Sequence, residues 1–212
     1  MYDSPRLIVG YHGCDQSVKD HVLKNRVHLD KSTNTYDWLG EGIYFWEDDY
    51  TRAEEWAKNK TNPAVIGAFI KLGNCLYLLN VEKTQLLIDA YTLVENENRL
   101  KNMTLPSNTI LVGGISFKRK LDCLVIEKVK DLNNEKIQQR LYLSERINNS
   151  LIKIQQDSEF YDTIRAMFPE GNELYQNAGF REKNHIQICV INPNAIVGYF
   201  DPLDKDPNYK VL

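Results

Sequence analysis

The sequence lacks most features that mark secreted, membrane or metal-binding proteins. Its 212 residues contain only four cysteines, Cys14, Cys75, Cys123 and Cys189, and no two of them form a C-x-x-C pair. Their spacing argues against zinc and thioredoxin-type sites, and we expect reduced, mostly buried thiols. No apolar run approaches the roughly 18 residues that cross a bilayer, and the first residues do not resemble a secretory signal. We therefore expect a cytoplasmic protein with no metal site and no membrane contact.

Excess positive charge and phosphate-binding loops are also absent. The chain has 26 Lys and Arg against 29 Asp and Glu, a net charge of -3. A global field for nucleic acid is therefore missing, and FKRK at 117–120 is one short candidate for a local basic patch. There is no Gly-x-Gly-x-x-Gly and no P-loop, which argues against the usual dinucleotide and nucleoside triphosphate sites.

Periodicity and turn residues predict a single α+β domain over residues 1–212. Strands are predicted at 6–13, at 42–47 and once or twice within 65–80, and helices at 17–25, with Ser17 as a possible N-cap, at 48–60 and at 81–103. Residues 120–132 look strand-like at their start, 135–155 fit either state, 158–171 hold a short element, and 184–201 hold two strands separated by an Asn-Pro break. Strands at both chain ends without βαβ alternation disfavour a doubly wound fold.

Three short segments stand out as candidate ligand-binding elements. Tyr11-His12-Gly13 ends the first strand, Gly40 to Trp46 leads into a helix carrying Trp56, and His185-Ile186-Gln187 opens a late strand. A glycine allows close approach of a ligand, and an imidazole donates or accepts. Strand alternation places Tyr44 opposite Ile43 and Phe45, and places Gln187 with Cys189 opposite Ile186 and Ile188. Each residue also has a structural interpretation: a turn or core histidine, core aromatic rings, and a hydrogen-bonded core glutamine.

Taken together, the three segments resemble the His–Tyr–acid pattern of the ADP-ribosyltransferases of the diphtheria-toxin and poly(ADP-ribose)-polymerase type. Tyr11-His12-Gly13 is similar to the His-Gly of that family, and Gly40-Glu41-Gly42-Ile43-Tyr44-Phe45 is similar to its tyrosine strand. Ala53-Glu54-Glu55-Trp56 resembles the helix that follows, and Gln187 stands where the family has its acid. YDWLGEGIYFWE, RAEEWA, YDTIRAMFPEG and NHIQICVINP also resemble small bacterial members.

The resemblance implies a fold, a co-substrate and a set of residue roles. The expected fold is two packed, mainly antiparallel sheets around an NAD cleft. His12 is expected to bind the adenosine ribose and Gly13 the nicotinamide carboxamide through its backbone. Tyr44 and Trp56 are expected to enclose the nicotinamide ring, and Gln187 to contact the nicotinamide-side ribose. Trp38 is expected at the rim of the pocket, where it covers the ligand or simply plugs the domain.

Gln187 is the departure from the family pattern. A neutral amide forms hydrogen bonds but does not offset positive charge. In the polymerase branch of the family, loss of this acid is associated with transfer of a single unit, so the resemblance implies transfer of a single ADP-ribose. Glu182 is a candidate for the missing carboxylate, and otherwise a solvated loop acid. Arg165 and Arg181 are candidates for NAD phosphate contact, because guanidinium pairs with phosphate through two bonds, and otherwise ordinary ion-pair residues.

The function expected from the resemblance is NAD-dependent mono-ADP-ribosylation of a protein or of an RNA or DNA base. Small members of this kind act as bacterial toxins in toxin–antitoxin or phage-defence systems, so an antitoxin protein is a further expected partner. The alternative is a catalytically inactive module that binds NAD or ADP-ribose. A structural or interaction domain with an accidental motif is the third interpretation.

Overall fold

The structure, a computed structural model, describes residues 7–108, 118–145 and 150–202. Within these ranges the chain is α+β, as periodicity predicts. The strands are β1 Leu7–Asp15, β2 Ile43–Glu47, β3 Pro63–Lys71, β4 Cys75–Tyr77, β5 Thr163–Phe168, β6 His185–Val190 and β7 Ile196–Phe200. The helices are α1 Gln16–Asn25, α2 Tyr50–Ala57, α3 Val81–Leu100, α4 Lys120–Glu145 and α5 Leu151–Gln155, and a short 3-10 helix, Pro193–Ala195, precedes β7. None of the helices in the described ranges has the length and apolar character needed to cross a membrane.

All the described strands belong to one mixed sheet rather than to the two packed sheets expected from the resemblance. Their order is β4-β5-β6-β2-β1-β3-β7, and β4 and β5 form the one parallel pair among the named strands. The reason lies in the β2–β6 pairing, which runs from Ile43–Val190 to Trp46–Gln187. This ladder joins the strands from the two ends of the chain edge to edge, so they do not stack face to face.

Strand alternation divides the core between the two faces of the sheet. On the first face, Ile43, Phe45, Ile188 and Val190 pack with Val22 of α1. On the second face, Cys189 and Ile164 pack with α3, α4 and α5 through Ala90, Ile126 and Ile154. Helix α2 also covers the second face, where Ala53 and Ala57 meet Val65 and Trp46. We call this second face the helical face.

Residues 120–132 form the first half of α4, so the strand expected at their start is wrong. Buried positions within α4 are spaced three or four residues apart, as in a helix, at Cys123, Ile126 and Val129 and again at Ile137 and Leu141. A short apolar run does not distinguish a buried strand from a buried helix. The Asn108 side-chain oxygen accepts the backbone N–H groups of Leu121 and Asp122, which are otherwise unpaired donors of a first helical turn.

The polar ends of α1 and α2 fix the loops that leave β1 and β2. Asp15 is the N-cap of α1 and accepts the Ser17 N–H, whereas Ser17 was the expected cap. Asp49 caps α2 by accepting the Arg52 N–H at 3.0 Å. Of the acidic residues after Trp46, only Asp49 therefore begins the next helix as predicted, whereas Glu47 is the last residue of β2 and Asp48 lies between the two elements.

Candidate functional site

The three motif segments lie on neighbouring strands although they are far apart in sequence. Strand β2 lies between β1 and β6. Tyr11 pairs with Trp46, and Trp46 pairs with Gln187, so the three strands share one row of residues. Tyr44 and Gln187 lie on the helical face, opposite Phe45, as alternation predicts.

Strands β1 and β2 separate just beyond this row. Strand β1 pairs with β3 from Leu7 to Asp15, but its described ladder with β2 covers only Gly10 and Tyr11. The His12 ring bridges the gap, because its Nδ1 lies 2.7 Å from the Tyr44 carbonyl oxygen. A carbonyl only accepts, so Nδ1 carries the proton. Burial lowers the pKa of His12 despite this bond, and the neutral ring presents Nε2 as an acceptor.

Two glycines permit close packing beside the split. A Cβ on Gly13 would lie 2.2 Å from the Ala53 carbonyl oxygen, and one on Gly42 would lie 2.3 Å from the Cys189 sulfur. Both positions therefore exclude any larger residue unless the backbone shifts. At Gly13 the glycine lets α2 rest directly on β1, a packing role in addition to the ligand contact that the resemblance implies.

Tyr44 is bound into the turn that precedes its own strand. Its hydroxyl donates to the Gly40 carbonyl at 2.6 Å and accepts the Leu39 N–H at 2.9 Å. Its ring packs against the core beneath α3 and α4. Burial raises the pKa of the Tyr44 hydroxyl above its ordinary value, so the group stays protonated. These contacts agree with the structural interpretation of this residue.

Trp46, rather than Tyr44, is the β2 ring that Trp56 approaches. The two indole centroids are 6.0 Å apart. Trp56 is 45% exposed and Trp46 only 7%, so Trp56 forms a rim above a buried floor and is not a core residue. The ring of His185 lies 6.4 Å from Trp46 and 6.1 Å from Trp38, nearly parallel to Trp38. We call these four rings together with Gln187 the aromatic site.

The floor of the aromatic site carries a buried hydrogen-bond donor that has no partner among the described residues. Among the described residues, nothing accepts a hydrogen bond from the buried Nε1 of Trp46. Buried indole N–H groups usually have a partner. The Nε of Arg52 on α2 is likewise buried without an acceptor in the described part of the chain. Both N–H groups are buried, so a ligand reaches them only if a neighbouring side chain moves.

The Gln187 side chain is held by His185 two residues earlier on the same face. Gln187 Nε2 lies 3.1 Å from His185 Nε2, and His185 Nδ1 lies 2.7 Å from the Lys183 carbonyl oxygen. Burial is the main cause that lowers the pKa of His185. Gln187 is thus a hydrogen-bonded, partly buried glutamine on the floor of the aromatic site.

An ion-pair network joins α2 to the loop between β5 and β6, residues 169–184. Arg52 donates to Glu55 and, at 2.6 Å, to Glu170. Lys183 donates to Glu55 at 2.9 Å, and this bond is the main cause that lowers the pKa of Glu55. The network crosses the side of the aromatic site next to His185, which lies 3.7 Å from Glu170. The carboxylates of Glu55 and Glu170 are therefore both ion-paired with basic side chains.

The two remaining arginine candidates and Glu182 lie elsewhere. Arg165 is on the face opposite Gln187, where it pairs with Glu47 through two bonds and lies over the Tyr77 ring. Glu182 is exposed and accepts the backbone N–H of Asn172 at 3.1 Å. Arg181 donates to the Gly171 carbonyl. All three have protein partners.

Trp38 borders the aromatic site on the side of α4. The Arg119 guanidinium lies 4.6 Å from its ring centroid, and Phe168 packs against it at 4.6 Å. Behind Trp38 lies a cavity of about 410 Å³ with a mostly apolar lining from α3, α4 and β5. Its lining offers few donors for a dinucleotide pyrophosphate, so this cavity does not suit that group.

Sequence reasoning missed Trp46, Arg52 and the role of His185. The alternate spacing of Tyr44 with Trp46, and of His185 with Gln187, already places each pair on one face. That spacing is a usable signal for two of the three residues. The place of Arg52 depends on its contact with Glu170, which no local pattern predicts.

Comparison with known proteins identifies no family for this chain. No family model matches it, and no solved structure matches it. An uncharacterized protein of Methanocaldococcus jannaschii is 23% identical over 201 residues, which cover 88% of this chain and 83% of that protein. This similarity carries no activity with it, so a functional conclusion has to come from the site.

Proposed function

We propose that this protein is an NAD-dependent mono-ADP-ribosyltransferase, with one ADP-ribosyltransferase-like domain built on its continuous sheet. The observation that carries the proposal is the meeting of the segments of His12, Tyr44 and Gln187 on the adjacent strands β1, β2 and β6. The β1–β2 and β2–β6 pairings bring these segments together although they are far apart in sequence. The split between β1 and β2 and the exposed ring of Trp56 support the same conclusion.

In the proposed reaction, the bond between nicotinamide and ribose breaks and nicotinamide leaves with the bonding electrons. ADP-ribose joins a nucleophile of the acceptor, which releases its proton. Positive charge builds up on the ribose in an oxocarbenium-like transition state. The exposed face of Trp56 beside Trp46 suits the flat nicotinamide ring, and Gln187 suits the ribose hydroxyls. A neutral glutamine orients the ribose without offsetting its charge, which agrees with single transfer.

The remaining predicted ligand residues have present partners that a ligand would have to replace. Glu182 supplies a carboxylate to the acceptor only if it releases Asn172, and Arg181 reaches a phosphate only if it releases Gly171. Both exchanges involve the loop 169–184 alone. For Arg165 the exchange requires breaking a buried ion pair on the opposite face, so we leave it out of the proposed NAD site.

The biological part of the proposal rests on the resemblance alone. It assigns the protein to bacterial toxins of the toxin–antitoxin or phage-defence kind, acting in the cytoplasm. The acceptor is a protein side chain or a nucleic-acid base, and an antitoxin protein is the expected inhibitor.

One observation favours a second candidate, an inactive module that binds NAD or ADP-ribose. The residue at the acid position is a neutral amide, and the nearby carboxylates of Glu55 and Glu170 are both ion-paired. A site without an available carboxylate binds the ribose without promoting bond cleavage. The two candidates differ in chemistry and not in where NAD lies.

The test uses purified protein, NAD labelled on its adenylate, and separate protein and nucleic-acid fractions as acceptors. The transferase proposal predicts labelled macromolecule and release of one nicotinamide for each label. Gln187→Ala lowers the rate, whereas Gln155→Ala, which removes an exposed glutamine of α5, leaves it unchanged. NAD binding without label on either fraction supports the module, and absence of binding to both NAD and ADP-ribose refutes both candidates.

A further inference from the structure

The orientation of Gln187 follows from the tautomer of His185. The Lys183 carbonyl oxygen, 2.7 Å from His185 Nδ1, has no hydrogen to donate. The proton must therefore sit on Nδ1, and in the neutral ring Nε2 is left with its lone pair. Gln187 lies 3.1 Å from this Nε2, and only its NH2 group has hydrogens to offer. Its carbonyl oxygen Oε1 is then the branch directed away from the imidazole.

The surroundings of the His185 ring favour one ring orientation over the flipped one. It is only 5% exposed and lies among the rings of Trp38, Trp46 and Phe168. Turning the ring over would place a carbon where the Lys183 carbonyl now accepts, and would leave that carbonyl without its donor. The backbone carbonyl of Lys183, two residues before β6, thus determines which end of the Gln187 amide faces a ligand.

We propose that His185 is a positioning residue whose Nε2 fixes the Gln187 amide, so that Oε1 accepts a hydrogen bond from a ribose hydroxyl of NAD. The ribose contact rests on the proposed function, whereas the link between His185 and Gln187 does not. The arrangement gives a physical reason for glutamine at the acid position. A glutamate there would direct a second lone pair at Nε2, unless His185 took up a proton.

The groups around His185 have opposing effects on the protonation of its ring. Glu170, 3.7 Å from Nδ1, and Asp49 favour a protonated ring, whereas burial and Arg52 disfavour it. Glu170 is itself paired with Arg52, and the Lys183 ammonium is turned to Glu55. Arg119 lies over the far rings, Trp38 and Phe168. Protonation of Nε2 would force the Gln187 amide to turn over and present its NH2 group to the ribose.

The first test reads the imidazole directly, without NAD. Nitrogen-15 NMR of the histidine side chains is expected to show neutral His185 with its proton on Nδ1 at neutral pH. Gln187→Glu is expected to raise the pKa of His185 by about 1 to 3, because a carboxylate then faces Nε2. The matched control, Gln155→Glu, adds the same charge on α5 and leaves His185 unchanged. A proton on Nε2 in the wild type, or an unchanged titration in Gln187→Glu, overturns the proposal.

The second test compares two substitutions of His185 that keep different halves of the imidazole. His185→Gln places an acceptor near the position of Nε2, whereas His185→Asn keeps only the bond toward Lys183. We expect the kcat/KM of the wild type for NAD to fall at acid pH, as His185 takes up a proton. We expect His185→Gln to retain most of the wild-type kcat/KM at neutral pH and not to show this fall. His185→Asn is expected to lose on the order of tenfold to a hundredfold, with both variants folded by circular dichroism. Equal losses in the two variants overturn the ribose contact. If the wild type does not act on NAD at all, the proposed function fails, and the NMR result alone decides the link to Gln187.

Discussion

The ion pair of Arg165 and Glu47 tests whether this arginine has a structural role or a ligand role. Its side chains are 11% and 13% exposed, and a second bond of 2.7 Å joins Arg165 Nη2 to Glu47 Oε1. Arg165→Met leaves a buried carboxylate without a partner. The expected loss is about 3 to 5 kcal/mol of unfolding free energy, and loss of the contact with Tyr77 adds about 0.5 to 1 kcal/mol. That is a large fraction of the roughly 5 to 15 kcal/mol of a typical domain.

The double variant Arg165→Met/Glu47→Leu separates the two roles. Replacing both charges by apolar groups of similar volume is often neutral or stabilising, so its stability is expected to return to within about 1 kcal/mol of the wild type. Urea denaturation followed by circular dichroism measures the stability of the wild type and of both variants. Because Arg165 lies on the face opposite Gln187, the double variant is also expected to bind NAD as the wild type does. A loss below about 1 kcal/mol in Arg165→Met, or restored stability with lost NAD binding, refutes this reasoning.

Three further predictions concern stability. Tyr44→Phe removes the hydroxyl that bonds the Gly40 carbonyl and the Leu39 N–H and is expected to cost about 1 to 3 kcal/mol in urea denaturation, while Tyr175→Phe, at a ring that is 64% exposed, changes little. Gly13→Ala drives a methyl group into the backbone of α2 and is expected to lower the unfolding free energy by about 1 to 3 kcal/mol. Burial lowers the pKa of both His12 and His185, so the unfolded chain takes up protons first. The contribution of these two histidines to the unfolding free energy is then complete above about pH 6.5 and is lost as the pH drops below that value. His12→Gln is expected to show a smaller loss at acid pH than the wild type. An equal loss in that variant contradicts a lowered pKa for His12.

Local patterns predicted the elements whose signals lie within a few residues. The glycine turn and alternation in β2, and the acids at the start of α2, are such signals, and the structure confirms the strand and the helix. The same patterns failed at Cys123 to Val129, where an apolar run fits a strand and a buried helix equally well. Packing against the sheet decides that case, and packing is not a local property.

The candidate site was likewise predictable from local patterns only in part. Alternation correctly placed Tyr44 opposite Phe45 and Gln187 on the face of Cys189, and the β2–β6 pairing puts the two on one face of the sheet. The partner of Trp56 depends on the angle at which α2 crosses β1, so the contact with Trp46 was not predictable from the sequence. The pairing of Arg165 with Glu47 joins residues of different strands across β6, and no spacing rule relates them.

The measurement that tests the central claim most directly is NAD affinity at the rim of the aromatic site. Trp56 is 45% exposed, so Trp56→Ala removes a proposed stacking surface at little cost in stability. Loss of one stacked ring is worth about 1.4 kcal/mol, which is about tenfold in Kd. Isothermal titration calorimetry is expected to show this weakening in Trp56→Ala. The matched variant Tyr142→Ala, which removes a 44% exposed ring near the end of α4, is expected to bind NAD like the wild type. Equal affinity in both variants and the wild type would contradict an NAD site at these rings.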